Sequence, residues 1–306
     1  MLKSVVPETV FQVVGEPITS LQYLDPGYPN TNWVYSVDTV KNNYILKVIG
    51  HGRKFKKGCI WYGLKHLFGC NPARELTSYI QLTDFLRKAS TFEVPRVLEV
   101  ETDTTLFGAP YILMERIPGS PIDEDDFHSS EGLLFQFGQH VGNIHRNRFD
   151  HFGNMTMTAK HLIHRFPRML AQVMKKLVRY GWRKNPRIKR MLPQYFRKAL
   201  EMPLPGFMAP IMVDIGPSQF LFKQDTIAGL VDLEGFIIGP PELELAAIEL
   251  SLKNPTPFIE GYRSRNGSFP CCIRSRDIFR FFIFLLFDAE CVLDFDTCMK
   301  APSHFG

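Results

Sequence analysis

Residues Asp214–Glu244 read DIGPSQFLFKQDTIAGLVDLEGFIIGPPELE. Two β-like runs flank the polar turn Lys223-Gln224-Asp225, a hairpin pattern. Asp214 stands ahead of a Gly-Pro-Ser turn, Gln219 follows five residues later, and Asp232 closes the second run. Two carboxylates and an amide therefore bracket one hairpin.

Upstream, Trp33, Tyr35 and Val37 alternate with Val34, Ser36 and Asp38, the period of a strand. Lys41-Asn42-Asn43 is a turn, and Tyr44 to Ile49 is a second strand. Lys47 is the odd residue in that apolar run, either an exposed edge lysine or a lysine projecting into a cleft to hold phosphate oxygens. The preceding Pro26–Asn32 turn has one glycine and matches no glycine-rich fingerprint. Residues 51–70 read as an insertion, a basic loop leading into a short helix. Asn71-Pro72 then caps a helix that carries Glu75 in its first turn and Leu76, Tyr79, Ile80 and Leu86 on an apolar face. Tyr111–Glu115 is a buried strand that stops at Arg116-Ile117-Pro118-Gly119, a turn suited to joining two lobes. Acidic residues 123–126 are expected to cap a helix over 131–146, where His145 reads as a packed, hydrogen-bonded histidine. Ala246–Leu252 reads as a short apolar helix, and Asp277–Asp294 as a longer one, nearly apolar all round from Phe279 to Leu293 and therefore buried.

With 45% hydrophobic and 22% charged residues, the 306-residue chain has the composition of a soluble globular protein. The longest apolar run, Phe281–Phe287, is far short of the roughly 20 residues of a membrane span. Pro7 and Glu8 break the N-terminus before a secretion-signal core can form. Six cysteines show no CxxC pair and read as reduced structural thiols, so a cytoplasmic protein is expected. Charge is unevenly distributed. Residues 151–200 hold 13 Lys or Arg and no Asp or Glu, leaving 23 basic against 31 acidic residues elsewhere.

Phosphoryl transfer from a nucleotide asks for a cation on the inner phosphates, oxygens for Mg²⁺, and a carboxylate aimed at the acceptor hydroxyl. Lys47, Glu75, Asp214, Gln219 and Asp232 supply these in order, and the spacing from Asp214 to Gln219 is that of a kinase catalytic Asp and metal-binding Asn. The blocks NWVYSVDTVKNNYILKV, ARELTSYIQL, YILMERIPGSPI, GNIHRNRFDHFGN and VDIGPSQFLF with GLVDLEGFIIGPPELELAAIEL resemble the aminoglycoside phosphotransferase and choline kinase superfamily, from about Asn32 to Leu250.

That resemblance implies an α+β, bilobal, protein-kinase-like fold. A small antiparallel-sheet lobe (1–115) would bind nucleotide, and a larger, mainly helical lobe (116–306) would carry catalysis and the acceptor. Lys47 would contact the α/β-phosphates of ATP or GTP, and Glu75 would pair with it. Met114 would back the pocket, with adenine held by the backbone of Glu115 and Ile117. Asp214 would be the catalytic Asp, and Gln219 and Asp232 the Mg²⁺ ligands. Glu234 matches a carboxylate common in the family, and Glu244 one that ties the next helix to the catalytic loop. The loop departs from the family's His-Gly-Asp-x-His-x-x-Asn: both histidines are missing and Asn has become Gln219, whose amide oxygen sits about 1.5 Å further out.

Two functions are therefore expected to compete. One is a small-molecule kinase acting on a hydroxylated, non-cationic acceptor, anionic or neutral, because 151–200 offers no carboxylate to an amino group. The other is a pseudokinase-like nucleotide-binding module that uses 151–200 to bind an acidic partner. A dedicated nucleic-acid binder ranks below both, since the basic block lacks interleaved aromatics and a reading motif.

Overall fold

The alternating run around Lys47 forms the centre of a five-stranded antiparallel sheet. Its order is β1 (Ile18–Tyr23), β2 (Trp33–Thr39), β3 (Asn43–Val48), β5 (Tyr111–Glu115) and β4 (Val97–Glu101). The computed structural model describes residues 10–24, 32–49, 58–70, 76–104, 108–270, 274–287 and 294–305. Glu75 with the start of its helix, most of the Pro26 turn, the loop 51–57 and Cys271, Cys272 and Cys291 lie outside these residues.

Successive side chains point to opposite faces of a strand. Leu46, Val48, Tyr111 and Leu113 accordingly pack with Val10 and Val37 on one face. Ile112 and Met114 join Tyr79, Leu82 and Leu86 of helix α2 (Tyr79–Ala89) on the other. β1, half polar and bulged between Ile18 and Ser20, carries no clean period and escapes a sequence reading.

Helix α1 (Cys59–Phe68) departs from its place in the chain. It belongs by position with the sheet, yet Leu64, Leu67 and Phe68 are buried in the large core shared with Phe152, Phe166, Leu177 and Leu286. A Cβ at Gly63 would stand 2.2 Å from Leu286 Cδ2, so the helix lies flush on that core.

Downstream the chain is mainly helical. Asp123 accepts from Asp125 N (2.8 Å) and caps a short helix α3 (Glu124–Ser129) of its own. Ser130, not the acidic run, caps α4 (Glu131–Ile144), correcting the expected role of residues 123–126. The segment 160–201 folds as strand β7 (Lys160–Leu162), α5 (Phe166–Tyr180) and α6 (Pro186–Glu201). A four-stranded sheet in the order β7, β6 (His151–Asn154), β11 (Phe236–Gly239), β8 (Ala209–Met212) carries the loop that begins at Asp214. The helices α7 (Pro241–Glu249), α8 (Thr256–Asn266), α9 (Arg276–Leu286) and α10 (Phe295–Lys300) follow. As expected, α9 is buried all round from Ile278 to Leu286, but it stops there with Phe287 extended, and Asp294 caps α10 instead of closing the same helix. No helix among the described residues is long and apolar enough to cross a membrane.

Helices α4 and α8 touch through glycines. A Cβ at Gly138 would stand 2.0 Å from the Phe258 carbonyl oxygen, and one at Gly261 2.0 Å from that of Phe135. Because the obstacle is backbone, Gly138→Ala should cost about 1–3 kcal/mol through overpacking. A urea midpoint unchanged from wild type would count against this close approach.

His140 is 1% exposed, stacks on Phe92 (centroids 4.7 Å apart, 16° between planes) and has Nδ1 3.3 Å from Ser90 Oγ. Burial, and then His145, push its pKa from 6.5 down to about 3. The unfolded chain therefore binds the extra proton between these values and the folded chain does not. The stabilisation is complete above pH 6.5 and is lost as pH falls toward 3. Replacing His140 by Asn should flatten urea-midpoint profiles across that window, and a profile parallel to wild type would oppose the assignment.

Candidate functional site

Lys47 lies on β3 opposite Val34 of β2 and Ile112 of β5. Its ammonium contacts Asp232 Oδ1 and lies 2.6 Å from Glu234 Oε1, with the Lys47 and Glu234 side chains 8% and 9% exposed. Lys47 is therefore buried between two carboxylates and is not an exposed edge lysine.

Each group in this cluster sets the ionisation of the others. Burial would lower the Lys47 pKa, but Asp232 and then Glu234 outweigh it and hold the amine protonated. The Lys47 charge pulls Asp232 below the ordinary carboxylate value. Glu234 is raised by burial, with Lys47 opposing. Asp214 is pushed up to about 6 by burial first and the Asp232 and Glu234 charges next.

Backbone geometry presents these side chains. Asp232 is left-handed (φ 62°, ψ 53°), a conformation in which Asp is enriched among non-glycine residues. It enters the 3₁₀ turn Leu233–Gly235, which returns Glu234 toward Lys47. A Cβ at residue 235 would stand 3.1 Å from Asp214 Oδ1, so Gly235 lets the two loops meet. The hairpin β9 (Phe220–Lys223) and β10 (Thr226–Leu230) is stitched to the loop after β5 and to the loop between α2 and β4. Ser120 and Phe222 exchange backbone bonds (3.0 and 2.9 Å), and Glu93 accepts from Leu230 N (2.8 Å).

Below Asp214 runs a buried polar chain. Glu244 Oε1 accepts from Met212 N (2.6 Å), and Glu244 Oε2 lies 2.8 Å from His145 Nε2. His145 Nδ1 is 2.9 Å from the Tyr262 hydroxyl, which also accepts from Asn266 Nδ2 (2.9 Å). His145 is thus the packed histidine the sequence suggests, and Glu244 ties α7 to the end of β8, two residues before Asp214.

Gln219 is buried, and its Oε1 accepts from Gly216 N (2.7 Å), while its carbonyl accepts from Val231 N (2.8 Å). Its amide oxygen closes its own turn rather than joining Asp232 and Lys47. Met114 is buried in β5, Glu115 N donates to Arg96 O (2.9 Å), and Arg116 N donates to Asn43 O (3.0 Å). These bonds finish the strand just before buried Ile117, which packs against Gly229.

Tyr79 belongs to the site, although its spacing places it on the apolar face of its helix. It is 5% exposed and lines a small recess with Ser78, Thr156 and Glu234. Burial and then the Glu234 charge raise its hydroxyl pKa well above normal. The spacing in α2 identifies which face is inward but gives no sign that the phenol reaches carboxylates 155 residues away.

Among the described residues no three His, Cys, Asp or Glu side chains form a self-contained metal cage. Mg²⁺ is commonly held by one or two carboxylates plus substrate phosphates. Asp232 and Glu234 beside a buried ammonium fit that donor set.

A family model described as "Phosphotransferase enzyme family" matches residues 22–269. Among solved structures, a thermostable mutant of aminoglycoside phosphotransferase APH(4)-Ia, in complex with AMP-PNP and hygromycin B, is 14% identical with a TM-score of 0.59, covering 92% of this chain and 89% of that one. A putative fructosamine-3-kinase from Haemophilus somnus 129PT is 13% identical with a TM-score of 0.61, covering 92% and 88%. The GDP and kanamycin complex of APH(2")-IIIa is also 13% identical with a TM-score of 0.61, covering 93% and 89%. A comparison with curated protein sequences finds none that matches.

Proposed function

The chain belongs to the phosphotransferase enzyme family, and from that premise we propose that it transfers the γ-phosphate of ATP or GTP to a hydroxyl of a small, non-cationic acceptor. The observation that carries this reading is the convergence of Lys47, Asp232 and Glu234 beside Asp214. In this reading the lobes meet at 115/116, Met114 backs the base, and the Glu115 and Ile117 backbone holds its edge. Lys47 holds the inner phosphates, and Glu75 would orient it. Asp232 and Glu234 would hold Mg²⁺, while Gln219 would have to leave Gly216 N to contribute. The ion, when bound, neutralises charge on the phosphates. Asp214 takes up or orients the acceptor hydroxyl proton, a role that requires its carboxylate form. A segment 151–200 without carboxylates offers nothing to a polycationic acceptor.

One observation favours the second reading, nucleotide binding without efficient transfer: the Gln219 amide oxygen is already bonded. Radiolabelled γ-phosphate transfer from MgATP and MgGTP to a panel of sugars, sugar phosphates and amino sugars tests both. Transfer that requires Mg²⁺ and disappears in Lys47→Met supports the kinase. Nucleotide-induced thermal stabilisation with no transfer to any acceptor supports the module.

A further inference from the structure

Nothing in phosphoryl transfer uses the outer face of the α5–α6 hairpin, and that face has an unusual composition. Of the 13 cations in 151–200, all but half-buried Lys198 are exposed. Arg187 forms a bidentate pair with Asp296 (2.7 and 2.8 Å), and Lys198 pairs with Asp277. The other eleven make no ion pair among the described residues.

Their spacing is that of helix faces. Arg168, Lys175 and Arg179 fall at three-, four- and seven-residue intervals around Gln172, opposite buried Leu170, Val173, Met174 and Leu177. On α6, Lys189, Arg197 and exposed Leu200 share a stripe. Lys175, Lys176, Arg179, Arg183, Lys184, Lys189 and Arg190 crowd the tip where the antiparallel helices turn.

A second observation indicates what lies opposite this face. Among the described residues nine large apolar side chains are exposed, and five of them lie in or beside this segment: Met157, Leu162, Tyr180, Leu200 and Leu204. Tyr180 lies among the cations of the tip, Leu200 extends the Lys189–Arg197 stripe, and Leu162 and Leu204 flank the other end of the hairpin. A cationic face bordered by exposed apolar side chains suits the boundary between headgroups and acyl chains. Single-stranded nucleic acid would instead call for a groove with several stacking rings, and Tyr180 is the one aromatic of the five. We propose that the α5–α6 hairpin is a peripheral docking surface for an anionic lipid bilayer. The remaining chain is net acidic and is repelled by the same surface, which turns the hairpin toward it. This proposal does not depend on the phosphotransferase reading.

Vesicle co-sedimentation of the full chain tests it, with phosphatidylcholine alone and with about a third phosphatidylglycerol. The wild type should pellet only with the anionic vesicles, and should be released in about 1 M NaCl, where the Debye length falls to about 3 Å. The triple variant Lys175→Glu, Arg179→Glu, Arg190→Glu should bind about tenfold more weakly or worse, with its melting temperature and nucleotide-induced thermal shift unchanged. The proposal is overturned by equal pelleting with neutral vesicles or none with anionic ones. It is also overturned if the variant pellets like the wild type, or if a single-stranded oligonucleotide binds more tightly than the vesicles and displaces them.

Discussion

Replacing Asp214 by Asn should lower kcat by about 10²–10⁴-fold, the usual contribution of a positioned general base, while leaving nucleotide-induced thermal stabilisation in place. Asn keeps the shape against Gly235 but cannot take a proton. The wild-type pH profile should show the same group. With its pKa pushed up to about 6 by burial and by Asp232 and Glu234, Asp214 loses its ionised form below that value. The ascending limb of kcat/KM, which reports the free enzyme, should therefore fall near pH 6. Stability should move the opposite way. A carboxyl raised from 3.8 to about 6 contributes stability below 3.8 that is lost as pH rises through 6. At pH 8 the Asn variant should thus melt no lower than wild type. A variant that is both inactive and markedly less stable would point to a structural Asp214, and one that keeps wild-type kcat would remove the catalytic assignment.

The order of these residues was legible because each sits in a short local pattern. Lys47 interrupts an apolar strand, Asp232 ends one, and Asp214 precedes a Gly-Pro turn. What stayed hidden depends on contacts far apart in sequence. Strands β6, β7, β8 and β11 are three or four residues long, too short for a period to stand out. Helix α1 carries an apolar face, but nothing in that face says whether the sheet or the helical core will cover it. Gln219 illustrates a subtler limit. Its position matches a metal ligand, yet the extra methylene lets its oxygen reach back to Gly216 N in the same turn. Spacing identifies a residue's place on the backbone, whereas the competition for its side chain is decided in three dimensions.

Replacing Glu249 by Ala should have the largest effect on stability. This carboxylate is 1% exposed. Its Oε2 accepts from Arg276 Nε (2.9 Å) and Arg280 Nη2 (2.8 Å), and its Oε1 from the backbone N–H groups of His304 (2.6 Å) and Phe305 (2.8 Å). Arg280, itself 3% exposed, also donates to the Ala301 and Pro302 carbonyls (2.7 Å each). The network seats Phe305 against Phe258 and Phe269. Alanine would leave a buried guanidinium without a counter-charge, which costs about 3–5 kcal/mol. At roughly 2–4 °C per kcal/mol, the melting temperature should drop by about 6–20 °C. Adding Arg280→Met should recover part of the loss, because it removes the stranded charge. Glu244 and Glu249 lie on the same nine-residue helix, one bonded to the Met212 amide two residues before Asp214 and the other to the C-terminal segment. The Glu249 variant should therefore lose stability while its folded fraction keeps a near-normal kcat, whereas Glu244→Gln should lower kcat more than melting temperature. Equal loss of both properties in the two variants would mean that α7 transmits strain along its length instead of holding two separate anchors.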